Sequence, residues 1–216
     1  MRSGTITVGV RTRGGNGMPD RLDMFFFYGS TYTYLTVMRV EEAAARAGVG
    51  VRWRPFNVRE IMLEQDNIPF RGKPMKMRYM WRDIERRAAR HGIPFDRVPT
   101  YPVDPDNLAN RVGVVAAAEG WCPEYTGTTY RAWFLEDKPP GDPGHLRSIL
   151  ASLGKDPEAV TALADSEEIR ARYDAETDAA RSMGIFGSPT FVVGDEIFWG
   201  DDRLEDALEW CSSGSQ

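Results

Sequence analysis

The sequence predicts an α/β protein in which a β-α-β half and a β-β-α half are separated by a long all-helical stretch. Three observations lead there. Residues 22–28 form a short, Phe-rich apolar run of central-strand type that passes directly into helical spacing. Val51, Trp53 and Pro55 then alternate with Arg52 and Arg54 as a second strand. Far downstream, Thr190–Val193 and Glu196–Trp199 flank Gly194-Asp195, a two-residue hairpin turn with Gly in first position.

Taken in order, residues 1–20 lack the apolar core of a signal peptide and are expected to be a flexible extension, which places the protein in the cytoplasm. After the first strand, residues 31–47 carry Tyr34, Leu35, Met38 and Ala45 at helical spacing and stop at Gly48. Pro55 has no N–H to give a ladder, so the second strand belongs near an edge, and the short crossover makes the two strands parallel. From Val58 to Gly184 the pattern is helical, with segments at 75–91, 107–120, 128–136, 146–153, 157–164 and 169–183. The hairpin and a short helix over 203–210 follow. This order is that of the thioredoxin fold with a helical insertion. It divides the chain into a discontinuous thioredoxin-like domain (21–60 and 185–212) and an inserted helical domain (61–184).

With 216 residues, 42% hydrophobic and 27% charged, the chain suits one globular domain or a domain carrying an insertion. A net charge of −5 argues against nucleic acid as a partner. No apolar run approaches the roughly 20 residues of a membrane span. Cys122 and Cys211 are far apart, and His91 and His145 are the only histidines. That composition gives no basis for a disulfide framework, and no metal centre is expected.

The strand-to-helix junction reads S-T-Y-T, residues 30–33, where redox members of this fold carry C-x-x-C. A helix N-terminus offers free N–H groups and a positive dipole end, so it stabilises an anion. Without a thiolate of its own, the chain can hold one brought by a ligand, the Ser30 hydroxyl donating to the sulfur; glutathione is the natural candidate. The competing reading makes Ser30 an ordinary N-cap, contributing about 1 kcal/mol. Pro189, just before a strand, suits a cis peptide that turns the backbone of Ser188 toward the site; the plainer alternative is a trans Pro at a strand start. Asp201 and Asp202 precede the last helix, where one caps it and the other is available for the α-ammonium of a γ-glutamyl group. Arg78, Arg82, Arg86 and Arg90 recur at i+4 as a solvated stripe, while Lys76 near the same helix start is placed to meet a ligand carboxylate.

Four segments, FYGSTYTYL, DNIPFRGKPMKMRYMWRDIERRAARHGIPF, GIFGSPTFVV and FWGDDRLEDAL, together resemble the 2-hydroxychromene-2-carboxylate isomerases and the related kappa-class glutathione transferases, in register over residues 22–210. The resemblance implies that Ser30 contacts the glutathione sulfur and that Asn67 and Lys76 lie near the cofactor. It further implies that Ser188 precedes a cis Pro189 and that Asp201 and Asp202 hold the γ-glutamyl end. Two departures, Thr31 where the family has Pro and Gly29 before the serine, alter the wall beside the sulfur. Tyr32, Tyr34, Tyr79, Trp81 and Trp199 belong either to an aromatic substrate pocket or to the core. The implied activity is glutathione-dependent cis-trans isomerisation of a conjugated C=C in an aromatic or unsaturated keto acid, by reversible thiolate addition. A kappa-type transferase or peroxidase, a non-catalytic binding module, and a low-molecular-weight thiol other than glutathione are the alternatives. The expected partner is a small-molecule substrate, and since relatives of the fold often dimerise, a homodimer is admitted. Neither cysteine stands at the helix start, which sets a disulfide oxidoreductase aside.

Overall fold

Strand β1 (Arg21–Phe26) is the spine of a four-stranded sheet of order β2-β1-β3-β4. The computed structural model describes residues 21–70 and 72–213, so the extension expected over 1–20 lies outside the described residues. β1 runs parallel to β2 (Gly50–Pro55), with Phe26 opposite Pro55, so the proline ends an edge strand as its missing N–H requires. On its other side β1 runs antiparallel to β3 (Thr190–Val193), which turns through Gly194-Asp195 into β4 (Glu196–Trp199). The α/β architecture predicted from the sequence is the one observed.

Between β1 and β2 the expected single helix is two: α1 (Thr33–Val37) and α2 (Val40–Ala47). The β-branched cluster Thr33, Thr36, Val37 and Val40 weakens continuity there. The break also frees Arg39 to reach the C-terminal helix, where it bonds Glu205 and the backbone oxygen of Asp201. α3 (Val58–Glu64), α4 (Pro74–His91), α5 (Leu108–Glu119), α6 (Cys122–Glu136), α7 (Pro143–Ser152), α8 (Pro157–Ala164) and α9 (Glu167–Ser182) fill the stretch before β3. A 3₁₀ turn (Asp201–Arg203) leads into α10 (Leu204–Ser212). α6 begins six residues earlier than the periodicity suggested, because Pro123 and Glu124 suit a helix first turn.

Alternation along β1 divides the core. Leu22, Met24 and Phe26 face a large cluster that takes in Tyr34, Trp81, Tyr130, Phe134 and Leu208, while Phe25 and Phe27 face a smaller one with Val58, Ile61, Ala180 and Val192. The larger cluster therefore runs without interruption from the sheet into the helical stretch. Among the described residues no helix is long and apolar enough to cross a membrane.

Candidate functional site

Beyond the end of β1 the chain turns back on itself, Ser30 N–H donating to the Phe27 carbonyl at 2.8 Å. Three distant side chains hold this loop. Tyr130 of α6 is fully buried, and its hydroxyl lies 2.9 Å from the Phe27 oxygen and 3.1 Å from the Ser30 oxygen. Burial keeps its phenol far above the ordinary range, so it serves as a neutral donor. Asn110 of α5 accepts the Tyr28 N–H at 3.0 Å and donates to Asp104 at 2.6 Å. Asp104 in turn accepts the Ala109 and Asn110 N–H groups at the start of α5. Arg59 lies over the Phe27 ring at 4.5 Å and donates to the carbonyls of Val103 and Asp104. Gly29 sits where these meet: a Cβ there would stand 2.5 Å from the Phe27 ring and 2.8 Å from an Arg59 nitrogen. The departure at this position is thus imposed by packing.

The Ser188–Pro189 peptide bond is cis. Ser30 Oγ donates to the Ser188 carbonyl at 2.8 Å. Ser188 Oγ accepts the Phe27 N–H at 3.0 Å and shares a hydrogen bond with Thr33 Oγ1 at 3.1 Å. Ser30 is not a helix cap: the N-cap of α1 is Tyr32, with no side-chain cap bond, and the Ser30 hydroxyl acts as a donor toward the proline loop.

Helix α4 supplies the opposite wall. Lys76, Met80, Asp83 and Arg87 follow one another at spacings of four, three and four residues and therefore share a face. Met80 sulfur takes the Thr31 hydroxyl at 3.1 Å, Asp83 takes the Tyr32 hydroxyl at 3.1 Å, and Arg87 grips Asp201 through two donors at 2.8 and 3.1 Å. Lys76 stands exposed at the open end of this row, one turn before Met80. The arginine stripe at 78, 82, 86 and 90 faces solvent, where Arg82 and Arg86 pair with Glu85 and Asp83.

Several expected ligand positions are revised. Asp201 is 2% exposed and committed to Arg87, with Arg39 4.0 Å away, so its carboxylate is already matched by cations and does not await an ammonium group. Burial nevertheless pushes it up to about 6, against the pull of Arg87. Asp202 remains exposed, paired at the surface with Arg203. Neither the 3₁₀ turn nor α10 has a side-chain cap at its N-cap residue, so the capping expected of one aspartate is replaced by these ion pairs. Tyr34 is fully buried, stacked 3.9 Å from Phe134 and hydrogen-bonded to the Pro94 carbonyl; Trp81 packs edge-on to Tyr101 and Phe134. Both are core residues and leave the pocket. Tyr79 lies on the outer face of α4 beneath Arg86, and Asn67 is exposed on the α3–α4 loop. Tyr32 is half-buried beside Ser30, its phenol raised by burial and by Asp83. Trp199, 54% exposed, packs edge-on to Phe186 and against the backbone of Gly187, next to the proline loop.

Fold and site define a thioredoxin-fold protein in which hydroxyls occupy the redox cysteine positions. The chain belongs to the DSBA-like thioredoxin domain family, matching it over residues 21–209. It is similar to the 2-hydroxychromene-2-carboxylate isomerase of Sphingobium xenophagum, 26% identical over 191 residues, 87% of this chain and 96% of that protein. A solved structure of a 2-hydroxychromene-2-carboxylate isomerase superposes with a TM-score of 0.76 at 27% identity, covering 85% of this chain and 90% of that one. Glutathione s-transferase kappa 2 of Caenorhabditis elegans is 23% identical over 220 residues, 90% of this chain and 94% of that protein. The resemblance carried by four short segments therefore extends across most of the chain.

Proposed function

We propose that this protein is a glutathione-dependent isomerase that interconverts cis and trans forms of a C=C conjugated to a carbonyl in an aromatic or unsaturated keto acid. The observation that carries the reading is the Ser30 hydroxyl, anchored on a rigid loop and donated to the Ser188 carbonyl immediately before a cis proline. That bond is exchangeable. When a thiolate arrives, Ser30 turns its proton to the sulfur, and the Ser188 carbonyl is released to accept an N–H from the ligand backbone. Around this centre the residues fit a small acidic thiol peptide in part. Exposed Lys76 suits a carboxylate, and Asp202 alone, rather than the aspartate pair, is open to an ammonium. Ser188 presents its backbone edge, and Asn67 stands outside on the neighbouring loop.

Bound glutathione would supply the nucleophile, its thiolate adding reversibly to the conjugated double bond so that rotation and expulsion return the other isomer with cofactor unchanged. The chain's own part is to hold the sulfur with the Ser30 hydroxyl, orient the peptide on Ser188 and Pro189, and meet a carboxylate of the thiol peptide with Lys76. Tyr32, half-buried next to Ser30, and exposed Trp199 with Phe186 form the apolar margins available to the substrate. A cytoplasmic setting, rich in reduced thiols, suits this chemistry.

Calorimetric titration with reduced glutathione, paired with S-methyl glutathione, is the direct test. Tighter binding of the free thiol supports a thiolate at Ser30; equal binding of both refutes it. With a hydroxybenzylidene-pyruvate substrate, Ser30→Ala is expected to fold normally and lose about two orders of magnitude in kcat, the usual scale for one donor to a developing anion. A product conjugated to glutathione, in place of a rearranged one, would assign the site to the transferase alternative.

A further inference from the structure

The junction S-T-Y-T carries a hydroxyl at each of the two redox-cysteine positions, Ser30 and Thr33, and the proposed reaction uses only the first. Thr33 is fully buried at the first position of α1, so no ligand can touch it. Its hydroxyl lies 3.1 Å from Ser188 Oγ. A threonine inside a helix ordinarily turns its hydroxyl back to the carbonyl three or four residues earlier. Thr33 opens its helix and spends its hydroxyl across the chain, 155 residues away.

The partner it chooses is the link between both loops of the site. Ser188 Oγ accepts the Phe27 N–H at 3.0 Å, and Ser188 O accepts the Ser30 hydroxyl at 2.8 Å. The Ser188 side chain has one rotatable bond before its oxygen, and Thr33, β-branched and packed, is stiff about the corresponding bond.

We propose that Thr33 is the positioning residue for Ser30, acting through Ser188. By fixing the Ser188 side chain against the Phe27 N–H, it holds the adjacent carbonyl still. The Ser30 hydroxyl then keeps one resting direction and turns to a ligand sulfur without the proline loop following it. The role in thiol binding rests on the reading of Ser30 given above; the fixing of Ser188 does not.

The test compares Thr33→Val, which keeps shape and loses the hydroxyl, with Thr33→Ser, which keeps the hydroxyl. In the ligand-free protein, backbone amide exchange at Phe27, followed by NMR, is expected to accelerate by about tenfold in Thr33→Val, the scale of one hydrogen bond, and to return to the wild-type rate in Thr33→Ser. Wild-type exchange at Phe27 in folded Thr33→Val overturns the proposal, whatever the ligand proves to be. With glutathione, the bound thiol's pKa, followed by thiolate absorbance, is expected to rise by about one unit in Thr33→Val while S-methyl glutathione binds as in wild type. An unshifted thiol pKa in that variant also overturns the positioning role. If wild-type protein leaves the thiol pKa where it is in solution, the Ser30 reading fails, and the Phe27 exchange alone decides whether Thr33 fixes Ser188. Should Thr33→Val not fold, Thr33→Ala removes the same hydroxyl with less bulk, leaves Ser188 in place, and is expected to give the same faster exchange at Phe27.

Discussion

Removing the hydroxyl of Tyr130 isolates the energetics of the loop that carries Ser30. Tyr130→Phe keeps the buried ring, stacked 6.0 Å from Tyr28 and 6.4 Å from Tyr34, and deletes only the oxygen that serves the Phe27 and Ser30 carbonyls. Phe27 O retains a donor, the Ser30 N–H at 2.8 Å, so the loss falls on Ser30 O. One net hydrogen bond, about 1 kcal/mol, plus part of the cost of an under-satisfied carbonyl gives about 1–2 kcal/mol in total. In a chain of this size that corresponds to a fall in Tm of roughly 2–8 °C. Tyr125→Phe is the matched control: it too is fully buried and loses its bond to the Ala109 carbonyl at 3.1 Å, and its ring packs on Tyr28 but its hydroxyl does not serve the loop backbone. Scanning calorimetry is expected to show both variants destabilised. Titration with glutathione is expected to show binding weakened several-fold in Tyr130→Phe and unchanged in Tyr125→Phe, since only the former frees the Ser30 carbonyl. A Tyr130→Phe protein with wild-type Tm and wild-type glutathione binding would refute the idea that α6 holds the site in place.

Other perturbations follow from the same contacts. Gly29→Ala drives a methyl into the Phe27 ring and the Arg59 guanidinium, and overpacking of this kind costs about 1–3 kcal/mol, measurable by urea unfolding. Arg87→Met strips buried Asp201 of its two-donor partner, whose side chain is 24% exposed, and costs on the order of 2–3 kcal/mol, below the range for fully buried pairs. In an Asp201→Asn background, where the buried charge is gone, Arg87→Met is expected to cost less. The carboxyl of Asp201, raised to about 6 by burial, holds its proton in the folded state over a window in which the unfolded chain has released it. Its contribution to stability therefore falls as pH rises from about 4 to about 6, and Asp201→Asn is expected to flatten unfolding free energy across that window in urea titrations.

The strands, the hairpin and the Ser30 and Ser188–Pro189 positions were legible in the sequence because each has a local signature: an apolar run, a two-residue Gly turn, a hydroxyl at a strand-to-helix junction. Tyr130 and Asn110 had none. They reach the loop across 100 and 82 residues, and nothing next to them in sequence marks a side chain whose partner is a distant backbone group. The working face of α4 was masked by a louder one. Arginines at 78, 82, 86 and 90 form a uniform row that faces water, while the inward row of Lys76, Met80, Asp83 and Arg87 mixes four chemistries and shows only once its partners are known. Asp201 and Asp202 look equivalent in sequence and diverge in the fold, because the 3₁₀ turn sends one beneath Arg87 and leaves the other in solvent.

The loop at Ser30 is tied to α5 and α6 and to the cis-proline segment before any ligand arrives, and Gly29 leaves no room for it to shift toward Phe27. Association thus costs little ordering entropy on the protein's side, so modest contacts suffice for useful affinity. The same stiffness limits tolerance. Under the proposed function, a thiol whose peptide backbone is a single bond longer or shorter is met by little rearrangement, and selectivity among small thiols is expected to come from geometry already built into the resting protein.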